Sequence, residues 1–273
     1  MSLKGENRTQ SSPMDRKPRR PSRVEILATI YRQTTAYDRV LVRSYNRMFQ
    51  AQIQPIIKAY TPPKFYSYKL SQNQIENILS KTSADFEQTL AKDYRSIASQ
   101  GSDDVVNLYT LPQSVSPAHQ RALNTLMAKR AGITIAGLNE STAKQIRTFI
   151  ASSPPDITAF TEKITSILGS PFRARRIARS ETISILNRSA EAGYESNSEV
   201  VKAKQWLITE DDRTCQWCPV VAERHNGQLD LGGNYFKQGD SLTGNRGGVL
   251  TMIEDIPSPV LHPNCRCAIS PVL

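Results

Sequence analysis

Four cysteines and one histidine are the side chains best placed for specific chemistry, and all five follow residue 214. One cysteine pair lies in RTCQWCPV, and the other lies with the histidine in VLHPNCRCAIS. A C-x-x-C turn puts two thiolates on one side of a tight loop, which suits two positions of a tetrahedral zinc site. The H-x-x-C spacing in the second segment can supply the other two. The candidate ligands are Cys215, Cys218, His262, Cys265 and Cys267.

The fourth ligand is open between the last two cysteines. Cys267 is either spare or takes the place of Cys265, because alternate residues of an extended chain point in opposite directions. His225, in the turn-like segment ERHNGQ, is a weaker candidate. The chain begins without an apolar run typical of a secretory signal, so we expect a reducing cytoplasm, where metal binding is favoured over disulfides or thiol redox chemistry.

A closed set of four nitrogen and sulfur ligands is structural, whereas a catalytic zinc keeps a position open for water. Glycines are dense between residues 227 and 248, where the chain has too little apolar content to fold by itself. Metal binding can supply about 10 kcal/mol or more of folding free energy to such a module. An HNH-type nuclease needs a helix after the second half of its motif, but only Ala268 to Leu273, with Pro271 among them, follow Cys267. We therefore expect a structural zinc site.

The elements that must position these ligands divide at about residue 197. Apolar residues recur at helical spacing over residues 24–55, 71–99, 117–129, 138–152, 156–168 and 170–196, with TPPKF at 61–65 as a break and SQGSDD at 99–104 as a loop. Asn139 or Ser141 is the predicted cap of the fourth of these segments, and Asp156 is that of the fifth. β-branched and aromatic residues, then glycines, follow. The sequence thus predicts an α+β fold: a helical body over 24–197 with a break near 100–116, and a small cysteine-rich module over 198–273.

The net charge is +10, and half of this excess lies in the first 23 residues. Residues 1–23 carry seven basic against two acidic side chains and few apolar ones, which predicts a disordered basic arm. Basic arms of this kind can neutralise phosphates or contact an acidic protein surface without a fixed fold. The candidate contact residues in the arm are Arg16, Lys17, Arg19 and Arg20. No stretch approaches the roughly 20 apolar residues that a membrane span needs.

A second basic cluster opens the last predicted helix. Its members are Arg173, Arg175, Arg176 and Arg179. At about 100° per residue, the last three share a broad face with Ile183, Leu186 and Ala190, which form the apolar stripe. Two interpretations stay open: internal pairing with carboxylates such as Glu162 or Glu181, or a contact surface for a partner protein or DNA phosphates.

The order of these segments resembles the phage Mu F-like minor head proteins, also called phage head morphogenesis proteins. In that family an A-R-[ST]-E helix with a downstream Asn precedes a W…D…C-x-x-C segment and a terminal H-P-x-C-R-C. The resemblance covers roughly residues 120–271. The matching positions are Ala178, Arg179, Ser180, Glu181, Asn187, Trp206, Asp211 or Asp212, Cys215, Cys218, His262, Pro263, Cys265, Arg266 and Cys267.

The resemblance implies a non-enzymatic minor protein of a tailed-phage head, located in the virion and, during assembly, in the host cytoplasm. It implies portal or major capsid protein as partner, a role in procapsid assembly and in DNA packaging or ejection, and non-specific contact with double-stranded DNA. Neither a membrane nor a small-molecule substrate is expected. The alternative is a zinc-dependent nuclease or nucleic-acid-processing enzyme using His262 or His225. A host DNA-binding regulator is disfavoured because no recognition-helix motif is evident.

Overall fold

The computed structural model describes residues 18–60, 70–152 and 156–273, and for residues 72, 225 and 226 it describes the backbone alone. Five long helices come first. They are α1 (Arg23–Ala59), α2 (Gln72–Tyr109), α3 (Pro117–Ser152), α4 (Ile157–Leu168) and α5 (Pro171–Glu195). Short strands follow, so the predicted α+β class is confirmed. Among the described residues, no helix is both long and apolar enough to cross a membrane. The predicted break at 61–65 lies outside the described residues.

Polar side chains define where several of these helices begin. The Ser22 side chain accepts a hydrogen bond from the Glu25 backbone N–H at 3.2 Å, and the Glu25 carboxylate accepts one from the Ser22 N–H at 2.8 Å. This reciprocal pair satisfies two N–H groups that the first turn leaves without partners. The predicted cap of α4 is confirmed, because Asp156 accepts from the Ala159 N–H at 2.7 Å.

The five helices pack around one apolar core, in which α2 contacts α1, α3 and α5. Its largest fully buried side chains include Tyr45, Phe49, Tyr94 and Phe160. Tyr60, at the end of α1, stacks on Phe160 of α4 with ring centroids 3.8 Å apart. This core fixes α5, the helix that carries the A-R-S-E motif, against α1 and α2.

The prediction of a loop at residues 99–104 is wrong, because α2 continues through them to Tyr109. A Cβ added to Gly101 would lie 2.9 Å from Leu186 Cδ2, so the glycine lets α2 approach α5 closely. Ser102 is fully buried and its hydroxyl donates to the Ala98 carbonyl at 2.6 Å. Packing against α5 therefore outweighs the weak helix propensity of this polar, glycine-containing segment.

The prediction of two separate helices between residues 117 and 152 is also wrong, since α3 is continuous. Asn139, a candidate cap for the second helix, instead donates to the Ser83 hydroxyl at 2.7 Å and accepts from Gln52 at 3.1 Å. Ser141, the other candidate, donates to the Leu138 carbonyl at 3.0 Å. Both polar groups therefore find partners without ending the helix.

The C-terminal part contains a three-stranded antiparallel sheet and a separate hairpin. The sheet has the order β2–β1–β5, formed by Gln228–Asp230, Ala203–Leu207 and Ala268–Val272. The hairpin pairs β3 (Ser241–Thr243) with β4 (Val249–Thr251), and a short helix α6 (Cys218–Glu223) follows β1. In the sheet, Trp206 of β1 pairs with Ile269 of β5. The central strand β1 therefore pairs with β5, and the chain continues from β1 into CQWC.

The sheet rests on the helices through a small second core. Tyr194 of α5 is fully buried there and its hydroxyl donates to the Ile269 carbonyl at 3.2 Å. Tyr109 of α2 meets the Tyr194 ring edge-on, with centroids 6.0 Å apart. The strand β5 is thus held by α5 on one side and by β1 within the sheet.

Candidate metal centre

The predicted ligands converge on one site. The Sγ atoms of Cys215 and Cys218 and a ring nitrogen of His262 lie within 4.8 Å of one another, and so do the Sγ atoms of Cys218, Cys265 and Cys267. Cys218 belongs to both groups, and its Sγ lies 3.6 Å from Cys265 Sγ. Cys218, Cys265 and Cys267 are buried, whereas Cys215 and His262 are half-buried. These five residues could hold a metal ion.

The first half of the site is a turn that leads into α6. The Cys218 backbone N–H donates to Cys215 Sγ at 3.2 Å, which orients that sulfur toward the start of the helix. Gln216 accepts from the Gly248 N–H at 3.0 Å through its side chain. Cβ atoms added to Gly244 or Gly248 would lie 2.6 Å and 2.4 Å from this side chain. The glycine-rich hairpin therefore closes around Gln216, one of the two residues between the cysteines.

The second half of the site is a turn over HPNC. The Cys265 N–H donates to the His262 carbonyl at 3.1 Å, and Asn264 takes a left-handed conformation with φ of 65°. Asn tolerates this conformation better than most residues. Cys265 and Cys267 lie before β5, in irregular backbone, so the alternation of a strand does not separate their side chains. Both consequently reach Cys218, which the sequence argument for a single fourth ligand did not anticipate.

Two residues of α5 attach this turn to the helical body. The Ser180 hydroxyl accepts from the Asn264 N–H at 3.0 Å. Asn187, which is buried, donates to the Cys267 carbonyl at 3.2 Å and accepts from the Ile269 N–H at 2.9 Å. A buried backbone group without a partner costs free energy, so Asn187 stabilises the path of the chain on both sides of Ala268.

His262 has the arrangement of a metal ligand. Its Nδ1 lies 2.8 Å from the Pro263 carbonyl oxygen, to which it can donate only as Nδ1–H. The Nε2 atom is buried and has no hydrogen-bond partner among the described residues. A metal-binding histidine commonly donates its second N–H to a carbonyl in this way, which leaves the other nitrogen free to bind. The residues present therefore fit a metal ion.

The thiols of the cluster differ in acidity: hydrogen bonds to Cys215 and Cys265 raise the pKa of Cys218, and the pKa of Cys267 is also raised. Contact with Cys218 and with His262 lowers the pKa of Cys215 to about 4, and contact with Cys218 and Cys267 holds the pKa of Cys265 well below its usual value. Burial lowers the pKa of His262, but Cys215 and Cys265 outweigh burial and raise it to about 9. Thiolates are the form of cysteine that binds metals.

An ion pair braces the segment beside the cysteines. Nη1 and Nη2 of the Arg266 guanidinium each donate to one carboxylate oxygen of Asp211. Arg266 lowers the pKa of Asp211 to about 2. The Thr209 hydroxyl donates to the Arg266 carbonyl at 3.0 Å. Of the two aspartates matched to the family motif, Asp211 is thus the one that contacts the terminal segment.

The buried carboxylate of Glu181 has a role that the sequence did not reveal. It accepts from Arg130 Nε at 2.8 Å and from the Tyr94 hydroxyl at 2.8 Å, and Tyr94 in turn lies 2.6 Å from the Tyr45 hydroxyl. Burial lowers the pKa of Arg130, but Glu181 outweighs burial and raises it. Of the two interpretations left open for the arginines of α5, pairing with Glu181 is not found among the described residues, because Arg130 of α3 binds that carboxylate.

The candidate contact residues lie in different environments. Arg16 and Lys17 are outside the described residues, as is the side chain of His225. The Arg19 N–H donates to the Tyr109 carbonyl at 2.7 Å, and Arg20 donates to the Leu273 carbonyl at 2.5 Å. Arg19 therefore lies at the C-terminal end of α2, and Arg20 lies beside Leu273.

The four arginines of α5 share one region of the surface. Arg173 is the most enclosed, donating to the Thr142 hydroxyl at 2.7 Å, with its guanidinium 4.7 Å from the Phe49 ring centroid. Burial, with repulsion from Arg176, lowers the pKa of Arg173 to about 10. Arg175 and Arg176 are exposed and Arg179 is half-buried. Within the described part of the chain, none of the four pairs with Glu162 or Glu181.

Comparisons of this chain with protein-family models, with curated proteins and with solved structures find no match.

Proposed function

We propose that this chain is a non-enzymatic minor protein of a tailed-phage head, acting at or near the portal in procapsid assembly and in DNA packaging or delivery. The observation that carries the proposal is the convergence of the family-like segments. Ser180 and Asn187 of the A-R-S-E helix bind the H-P-N-C-R-C segment, which lies against CQWC. Residues that are far apart in the sequence thus form one structural unit.

We further propose that the metal is zinc and that its role is structural. Thiolates with one imidazole are a typical zinc ligand set, and sites rich in buried cysteines are usually closed to substrate. The small core of the C-terminal part contains three of the cysteines together with Trp206, Phe236 and Leu242. A metal at this place would join the two ends of the segment between the cysteine pairs, beside this core.

The position of His262 favours a ligand over a general base. Its ring lies 5.3 Å from the Trp217 ring, and its Nε2 is buried beside the thiols. A base must be within hydrogen-bonding reach of a substrate proton, which a nitrogen bound to a metal is not. We accordingly favour the structural role over a zinc-dependent nuclease.

We propose portal or major capsid protein as the partner, the virion as the final location and the host cytoplasm as the place of assembly. The test is mass spectrometry of purified virions of the phage that encodes the chain. We expect the protein to co-purify with portal protein, and Cys218→Ser to abolish its incorporation while the exposed-site control Lys92→Ala is incorporated normally.

Two results would overturn the proposal. One is absence of the protein from virions and procapsids that contain portal protein. The other is cleavage of DNA by the purified chain that disappears in His262→Ala while the far-UV circular dichroism spectrum and the metal content are unchanged. The second result would establish the nuclease alternative.

A further inference from the structure

A basic cleft lies on the helical body between α1, α4 and α5. Its volume is about 1180 Å³, larger than the roughly 300–1,000 Å³ of pockets for single small ligands. From α1 it is lined by Arg39 and Arg43, and from α4 by Lys163. The arginines of α5 complete its cationic lining: Arg173, Arg175, Arg176 and Arg179.

The cleft has a large excess of positive charge. Asp38 is the one carboxylate among the described residues that line it, against seven cationic side chains. Burial raises the pKa of Asp38, which Arg179 and Thr182 oppose. No ion pair within 4.0 Å joins any of the seven to a carboxylate in the described ranges. Cations held together without counter-charges attract a polyanion.

The arginines and the start of α5 favour phosphate over carboxylate as the bound group. Guanidinium groups can donate two parallel hydrogen bonds to a phosphate, and exposed Arg39, Arg43, Arg175 and Arg176 are free of carboxylate partners among the described residues. Ser170 and Phe172 also line the cleft, so the N-terminus of α5 is part of it. The partial positive charge at a helix N-terminus adds to the attraction for phosphate.

Two exposed aromatic side chains distinguish between kinds of nucleic acid. Phe172 is 76% exposed and Tyr31 is 64% exposed, and both line the cleft. Two exposed rings in one cationic cleft offer apolar surface that a ligand can cover. A cationic groove with exposed aromatic rings is the usual platform for single strands, whose bases stack on the rings while the phosphates bind the cations. The paired bases of a duplex do not offer their faces in this way.

We propose that this cleft binds single-stranded nucleic acid without sequence preference, with Tyr31 and Phe172 stacking on bases and the arginines contacting phosphates. The site is separate from the cysteine cluster, although Asn264 of the HPNC turn lies at its edge. Binding here goes beyond the duplex contact expected of a head protein and does not require that function.

The test is fluorescence anisotropy of the full-length chain with a labelled oligo-dT, a duplex of the same length and a poly-glutamate peptide. We expect oligo-dT to bind more tightly than the other two probes. The variant Tyr31→Ala/Phe172→Ala should weaken oligo-dT binding on the order of tenfold or more, and have little effect on the duplex. Arg39→Glu/Arg176→Glu should weaken it further and reduce the salt dependence, by a slope of about 0.7 for each phosphate that the variant no longer neutralises.

Matched controls separate the cleft from general charge. Lys81→Glu/Lys92→Glu reverses two exposed charges on α2, and Ile253→Ala removes an exposed apolar side chain that is 85% accessible. We expect both to bind oligo-dT as the parent chain does. Circular dichroism checks that every variant folds.

Three outcomes would overturn the proposal. Oligo-dT affinity could be unchanged in both cleft variants and abolished in Arg16→Glu/Lys17→Glu, which would assign binding to the N-terminal arm. The duplex could bind at least as tightly as the single strand, with no effect of the aromatic substitutions. The poly-glutamate peptide could bind more tightly than oligo-dT, which would make the cleft a site for an acidic protein segment.

Discussion

Replacing Asn187 by alanine tests whether α5 and the terminal segment form one unit. The side chain is 4% exposed and makes three hydrogen bonds: to the Ile183 carbonyl at 2.9 Å, to the Cys267 carbonyl at 3.2 Å and from the Ile269 N–H at 2.9 Å. The Ile183 carbonyl lies within α5, so in the variant it can still accept a backbone hydrogen bond of the helix. The other two groups flank Ala268, which is fully buried, and Asn187→Ala leaves them without this partner.

The expected loss of stability follows from these two groups. Each buried polar group left without a partner costs about 1–3 kcal/mol, so Asn187→Ala should lower the free energy of unfolding by roughly 2–6 kcal/mol. That is a large part of the roughly 5–15 kcal/mol that stabilises a typical domain. Because Cys267 is one of the candidate ligands, we also expect metal affinity to fall by about 10- to 100-fold.

Chemical denaturation followed by two signals measures the effect. Circular dichroism reports the helices, and fluorescence reports Trp206 and Trp217, the two tryptophans of the chain. The fluorescence transition should shift to lower denaturant by at least as much as the helical one. Asn245→Ala, at an exposed loop position, is the control and should change stability by less than about 0.5 kcal/mol. A loss of stability below about 1 kcal/mol in Asn187→Ala, with unchanged metal affinity, would refute the reasoning.

Three further predictions concern stability. Glu181→Ala should cost about 3–5 kcal/mol in denaturation experiments because it leaves buried Arg130 with only its 3.5 Å contact to Glu254, and a Glu181→Gln variant, which also lacks the charge, that is as stable as the parent chain would contradict this. Gly101→Ala should lower the melting temperature, because the added Cβ would meet Leu186. Gly137→Ala, with open space around it, should raise stability by about 0.5–1 kcal/mol. Equal effects of the two substitutions would contradict the close packing of α2 on α5. Treatment with a chelator should shift the tryptophan fluorescence transition to lower denaturant and leave most of the helical circular dichroism signal. Equal shifts of the two transitions, or no shift of either, would count against a metal ion that stabilises the C-terminal part locally.

The candidate metal ligands could be predicted because their spacing is local. C-x-x-C and H-x-x-C each place two donors on one short turn, whatever the rest of the chain does. The sequence also predicted the cap at Asp156, which depends on a contact three residues away. Local rules therefore identified the candidate ligands and one of the helix starts.

The errors concern contacts between residues that are distant in the sequence. Gly101 reads as a loop residue, but its lack of a side chain is what lets α2 pass Leu186 at close range. Asn139 reads as a helix cap, but its partners are Gln52 and Ser83 on two other helices. Spacing along one helix likewise gives no indication that Arg130 of α3 would be the partner of Glu181.

The central claim is that a metal ion joins CQWC to HPNCRC, and the metal content of the purified full-length chain tests it most directly. We expect elemental mass spectrometry to find one zinc ion per chain and X-ray absorption to find a shell of sulfur with or without one nitrogen. Cys218→Ser should lose the metal, because Cys218 belongs to both groups of ligands. A chain that folds with its native tryptophan transition and holds no metal, even after refolding with zinc, would contradict the account.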